Sequence, residues 1–173
     1  MREKLTSLLI DPDRDRRNQF YLALDLLSIS KACISQDNIS NALDYLKKNP
    51  DFKPDYIFLD SLQPADEASS FLKEIRKMKR LKLVPLIWYA ASWEPEHMQA
   101  IHESGFAAGL AKQDSLHALK EHLSALLQNE LAENEHVVLD EVSATARFKL
   151  KVKEVLLQTQ SLLEVPEKLL THS

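Results

Sequence analysis

The stretch Pro54-Asp55-Tyr56-Ile57-Phe58-Leu59-Asp60 decides how the chain is read: its aromatic and β-branched centre has the length of a buried strand, and it stops on a carboxylate. Pro64 follows four residues later. Two other apolar runs also end on charge, Leu8-Leu9-Ile10 at Asp11 and Phe106 to Ala111 at Lys112. If these strands lie parallel in one sheet, their carboxyl ends share an edge, which is where open α/β sheets hold ligands. Two carboxylates and one ammonium then converge, a set suited to a divalent cation beside a phosphoryl-accepting aspartate.

On both sides of this stretch, short apolar runs alternate with helix-period segments, the pattern of a parallel sheet covered by helices on both faces. Strands are expected at Thr6 to Ile10, Ser30 to Ser35, the run ending at Asp60, Val84 to Tyr89 and Phe106 to Ala111. Phe20, Ala23, Leu24 and Leu27 share one face of a first helix from about Arg16, and Ile39, Leu43 and Leu46 mark a second, stopped by Asn49-Pro50. A third carries Phe71, Ile75 and Met78 inward with Asp66 as its cap. The fourth runs from about Glu94 to Ser104, with Pro95 in its first turn and Gly105 as a left-handed cap; the fifth starts near Asp114 and buries Leu116, Leu119, Leu123 and Leu126.

Residues 5–127 resemble a response-regulator receiver domain, on the order and placement of Asp11, Asp60, Pro64, Gly105 and Lys112. The resemblance implies an α/β, doubly wound, five-stranded parallel sheet of order 2-1-3-4-5, the flavodoxin-like receiver fold, with a histidine kinase as phosphodonor. It also implies that Asp60 is the phosphoacceptor, Asp11 an acidic-pocket residue that shares a Mg²⁺ with Asp60, and Lys112 the cation that neutralises the phosphoryl oxygens.

Four positions depart from the family pattern. Receivers usually carry two adjacent acids after the first strand; here the second is Pro12, which has no side-chain oxygen for a metal. Asp13 and Asp15 are the candidates to replace it: Asp13, expected in the acidic pocket with Asp11, lies one residue further on, and Asp15 is expected to open the helix. Ala90 stands where the family has a Thr or Ser, and Gly109 where it has a switch aromatic. Gln113 follows Lys112 in place of proline, so a cis bond there would cost about 2.5 to 4 kcal/mol; the peptide is expected trans, with the Lys112 ammonium further from Asp60 than is usual. Mg²⁺ is expected to bind weakly at Asp11 and Asp60, or not at all.

Composition fits a soluble globular protein: 173 residues, 45% hydrophobic, 28% charged and net charge −4. The negative charge argues against nucleic acid, and no run approaches the roughly 18 apolar residues of a membrane span. With no apparent targeting segment, a cytoplasmic location is expected. The lone Cys33 reads as a core thiol. His97 with His102, and His117 with His122, are five apart, off the helical spacing of zinc ligands. Trp88 and Tyr89 read as packing, and Lys73, Arg76, Lys77, Lys79, Arg80 and Lys82 as a solvated face. With only two glycines, a nucleotide-cradling loop is nearly excluded.

Residues 1–129 form the expected receiver-like domain and 130–173 a linker and C-terminal helical extension, in which Val138, Val142, Phe148, Val152, Val155 and Leu162 follow a helical seam; Phe148 to Val152 also alternates like a strand. Residues 138–165 are expected to form a homodimer or to bind a partner helix. The functional expectation is a response-regulator-like signalling protein that is no enzyme, acts through protein contacts, and has a degenerate receiver. Two alternatives stay open: a working phosphoreceiver, with Asp13 replacing the lost metal ligand, and a purely structural dimerisation or scaffold module.

Overall fold

The computed structural model describes residues 4–91 and 95–131. Its strands are β1 (Leu5–Ile10), β2 (Ser30–Gln36), β3 (Tyr56–Asp60), β4 (Leu86–Ala90) and β5 (Ala108–Ala111), and its helices α1 (Arg14–Leu26), α2 (Ile39–Lys48), α3 (Ala65–Lys77), α4 (Pro95–Glu103) and α5 (Leu116–Leu131). The strands pair in parallel in the order β2-β1-β3-β4-β5. This is the expected doubly wound sheet.

Alternation along each strand feeds two cores. Leu9, Phe58, Ile87 and Leu110 face α1 and α5, where Phe20, Leu24, Leu119 and Leu123 cover them. Leu8, Ile10, Ile57, Leu59 and Leu86 face the other way, onto Ile39, Leu46, Phe71 and Ile75 of α2 and α3. Of the helix residues expected inside, Leu27, Leu43, Met78 and Leu116 are only half-buried. Cys33 is also half-buried, and burial raises its thiol pKa.

Boundaries moved where local hydrogen bonding outweighed the apolar pattern. Asp13 has extended backbone and its carboxylate accepts from the N–H groups of Asp15 and Arg16, so α1 begins before Arg16. Asp66 lies inside the first turn of α3, whose N-cap is Pro64, and is not its cap. The β4 strand starts only after Pro85, because the Val84 N–H turns back to Leu81 O at 3.1 Å. Phe106 falls outside β5 because it completes the end of α4: its N–H reaches Ile101 O at 3.2 Å and that of Gly105 reaches His102 O at 2.9 Å. Gly105 adopts φ +100°, the left-handed turn this motif demands. α5 continues through Leu131, past the boundary drawn at 129; the C-terminal extension lies outside the described residues.

The basic cluster divides. Lys73, Lys77, Lys79 and Lys82 are exposed, but the two arginines are half-buried and bind backbone. Arg76 Nη1 donates to the carbonyls of Leu81, Lys82 and Val84 at 2.9–3.0 Å. Arg80 donates from Nε to Phe52 O at 3.1 Å and from Nη2 to Leu46 O, near the end of α2 where carbonyls lack helical partners. Bonds to a charged donor are worth about 1.5–3 kcal/mol. Arg80→Ala is therefore expected to lower unfolding free energy by about 2 kcal/mol, seen as a lower urea midpoint at unchanged slope; Lys79→Ala, at an exposed side chain, should leave the midpoint in place.

Candidate functional site

Because successive strand side chains alternate faces, a residue two places beyond a core position returns to the same side. Asp11 follows Leu9, Asp60 follows Phe58, Tyr89 follows Ile87 and Lys112 follows Leu110, and those four precursors share one core. The carboxyl edge of the sheet thus collects two carboxylates, a phenol and an ammonium on the α1/α5 side. Asp60 and Tyr89 are register partners across β3 and β4.

Asp11 and Asp60 are both 0% exposed, and the Lys112 side chain is 6% exposed. Lys112 Nζ donates to Asp60 Oδ2, and it lies 3.4 Å from Asp11 Oδ2. Asp60 Oδ1 accepts from the Leu62 N–H at 2.6 Å. Asp11 Oδ1 accepts from the Asp13 N–H at 2.8 Å, while Asp11 Oδ2 has no hydrogen-bond partner. The ammonium also sits 5.2 Å from the centroid of the Tyr89 ring, a cation–π distance.

The expectation that Lys112 would stand away from Asp60 is overturned. The peptide bonds of the described residues are all trans, as expected at Gln113, yet the ion pair forms. The reason is backbone placement. The Lys112 N–H extends the sheet ladder to Ala90 O at 2.7 Å, which aims the side chain along the face that carries Asp60.

Asp13, grouped from the sequence with the acidic pocket, is exposed and serves as the N-cap of α1. Its Oδ1 accepts from Asp15 N at 2.9 Å and Arg16 N at 3.2 Å, and these bonds hold its pKa below the usual carboxylate value. It does not replace the acid missing at Pro12. Asp60 has both oxygens engaged, and no group of three or more His, Cys, Asp or Glu among the described residues is arranged to hold a metal. Asp11 Oδ2 is the one oxygen of this pair without a hydrogen bond, and the set fits near-octahedral Mg²⁺ poorly. Lys112 supplies a countercharge to both carboxylates.

Tyr89 was read as packing, and its ring does pack edge-on against Phe20 at 5.5 Å. Its hydroxyl, however, is buried with no hydrogen-bond partner. Burial, aided by the Asp11 charge, pushes the phenol well above its ordinary pKa, so it stays protonated. The period-two spacing from Ile87 is the sequence signal that places it on the site's face. Arg17 Nη1 also reaches the site, donating to Asp11 O at 2.6 Å, and nothing in the sequence pattern marked it. Trp88 is in register with Gly109 and packs edge-on against Phe106 at 5.0 Å, so an aromatic ring lies beside the strand-five position that lacks one.

Burial pushes Asp11 up to about 6 from 3.8; the Asp60 carboxylate adds to the rise, and the Asp13 N–H and Lys112 ammonium oppose it. The folded chain therefore holds a proton here more tightly than the unfolded chain. The stability from that proton is fully present below about pH 3.8 and is lost as pH rises through about 6. A rise of this size is worth roughly 3 kcal/mol. Asp11→Asn, with nothing to titrate, is expected to gain stability relative to the natural chain as pH goes from 4 to 7. Urea melts across that range check it, and parallel curves for the two proteins would refute it.

No protein-family model and no curated protein sequence matches this chain. Solved structures do. The chemotaxis response regulator CheY4 of Vibrio cholerae matches with a TM-score of 0.59 at 20% identity, covering 72% of this chain and 99% of its own. The phosphorylated cyanobacterial phytochrome response regulator RcpA gives 0.62 at 16% identity, covering 79% and 99%. The Mn²⁺-bound form of response regulator Rcp1 gives 0.57 at 20% identity, again covering 79% and 99%. What this chain shares with these response regulators is the receiver fold.

Proposed function

We propose that this chain is a response-regulator-like signalling protein, not an enzyme, whose receiver domain acts through contacts with other proteins and whose Asp60 is phosphorylated slowly or not at all. One observation carries the proposal: Asp60 is fully buried with Oδ1 held by the Leu62 amide and Oδ2 by Lys112. Each oxygen keeps a lone pair beyond its one hydrogen bond, but attack on phosphorus must bring a charged donor into this closed, buried site. The contacts that would repay this are reduced, since Pro12 offers no metal ligand and Ala90 no hydroxyl. Each lost charge-assisted contact is worth about 1.5 to 3 kcal/mol. Two of them slow transfer by about two to four orders of magnitude. Mg²⁺ is held weakly or not at all.

A working phosphoreceiver, taking its phosphoryl group from a histidine kinase, is the second reading. The Lys112–Asp60 ion pair favours it, because the ammonium already stands where phosphoryl oxygens would need it. Incubation with a small phosphodonor and Mg²⁺, followed by intact-mass measurement, separates the two. The natural chain is expected to gain no phosphoryl mass within minutes, and Pro12→Asp with Ala90→Thr to gain some. Rapid Mg²⁺-dependent phosphorylation, abolished by Asp60→Asn, would promote the second reading.

The proposal places the protein in the cytoplasm and gives it protein partners, with no role for nucleic acid. No helix among the described residues is long and apolar enough to cross a membrane. The partner surface includes residues 138–165, which lie outside the described residues and whose apolar seam is costly to leave in water. Sedimentation is expected to show a dimer that becomes monomeric when the chain stops after Leu131. A monomeric full-length chain whose residues beyond 131 are cleaved rapidly by protease would sink this part.

A further inference from the structure

Lys112 lies at the start of the loop joining β5 to α5, and that loop is gripped by α1. Arg16 Nη1 donates to Gln113 O at 2.9 Å, and its Nη2 reaches Asp114 Oδ1 at 3.3 Å. Gln19 Nε2 donates to Asp114 O at 3.3 Å. One turn of helix therefore binds two successive carbonyls just beyond the lysine. Within the loop, Gln113 Nε2 adds only long contacts, 3.4 Å to Ala111 O and 3.4 Å to His122 Nδ1.

We infer that Arg16 and Gln19 are positioning residues for Lys112, fixing the backbone after it so that its ammonium stays on Asp60 with no proline at 113. A lysine side chain has four rotatable carbons and much rotamer entropy, so its tip is only as well placed as the backbone that carries it. Arg16 suits the task because its planar fork serves a carbonyl and a carboxylate at once. The Asp114 carboxylate is fully exposed, so the ion-pair component is screened and the carbonyl bonds do the holding. Arg17 acts similarly on the other flank through Asp11 O, so the start of α1 spans both sides of the charged group.

This inference rests on the geometry of the buried charges and not on whether Asp60 is phosphorylated. The test is NMR on the full chain, following the Lys112 ammonium ¹⁵N signal and the carboxyl titrations of Asp11 and Asp60. The groups that face Asp11 are Asp60 from β3, Tyr89 from β4, Lys112 after β5, and Asp13, Arg16 and Arg17 from the start of α1. The natural chain should show a Lys112 ammonium protected from exchange. Arg16→Ala with Gln19→Ala should lose that protection, and the Asp11 midpoint should move up by about half a pH unit or more as an opposing positive charge departs.

Arg16→Lys, which cannot fork, should show an intermediate loss, and Gln19→Ala alone a small one. Arg80→Ala is the control, since it breaks carbonyl bonds at a distance from the site and should leave both signals unchanged. If the double variant keeps the protected ammonium and the natural Asp11 midpoint while only melting earlier, Arg16 and Gln19 merely hold the loop and the inference fails. An unprotected Lys112 in the natural chain would overturn the geometry itself. Neither outcome depends on phosphoryl transfer, so a failure here is separable from a failure of the proposed function.

Discussion

Two carboxylates and one ammonium are buried together at the carboxyl edge of the sheet, and much of the local structure follows from that charge imbalance. Removing charges from water is expensive, and a buried ion pair contributes less to stability than its short contacts suggest. The group persists because each charge also has backbone or ring support: the Leu62 amide on Asp60, the Asp13 amide on Asp11, and the Tyr89 ring beside Lys112. Asp11 is the site of residual strain. It carries the unpartnered oxygen and the raised pKa, which is how a protein answers an excess negative charge that it cannot solvate.

The sheet order, the two-sided core and the convergence of Asp11, Asp60 and Lys112 were legible because all three depend on apolar periodicity and on where apolar runs stop. A hydrophobic run that ends on a charge carries its own directional information, given a parallel sheet. Asp13 was misassigned for a related reason. Sequence proximity to Asp11 suggested a shared pocket, but a short acid ahead of a helix is more useful to two unpaired N–H groups than to a cation. The distance of Lys112 from Asp60 was also misjudged, since the absent proline was weighed and the continuing ladder bond to Ala90 was not.

The arginines were the least legible feature. Arg16, Arg17, Arg76 and Arg80 all donate to main-chain carbonyls, two of them to residues distant in sequence and two across a turn, and no local spacing announces such bonds. Their partners are carbonyls at helix ends and loop entries, which helices and strands leave unpaired. Composition registers them only as positive charge. With two glycines in 173 residues, the chain makes most of its turns without them, and side-chain donors satisfy the exposed backbone at these corners.

The shared offset of Asp11, Asp60, Tyr89 and Lys112 from a core residue also bears on how this domain tolerates change in length. Gaining or losing one residue within β1, β3, β4 or the end of β5 would rotate the terminal side chain through the sheet and deliver it to the α2/α3 layer. A substitution of one apolar residue for another in these strands costs packing alone, whereas a single-residue insertion in β1, β3 or the end of β5 would carry a charge toward the layer of Phe71 and Ile75 with no countercharge beside it. The polar edge thus constrains strand length, and an added residue is expected to cost least at the opposite ends of the strands, where the loops return from the helices.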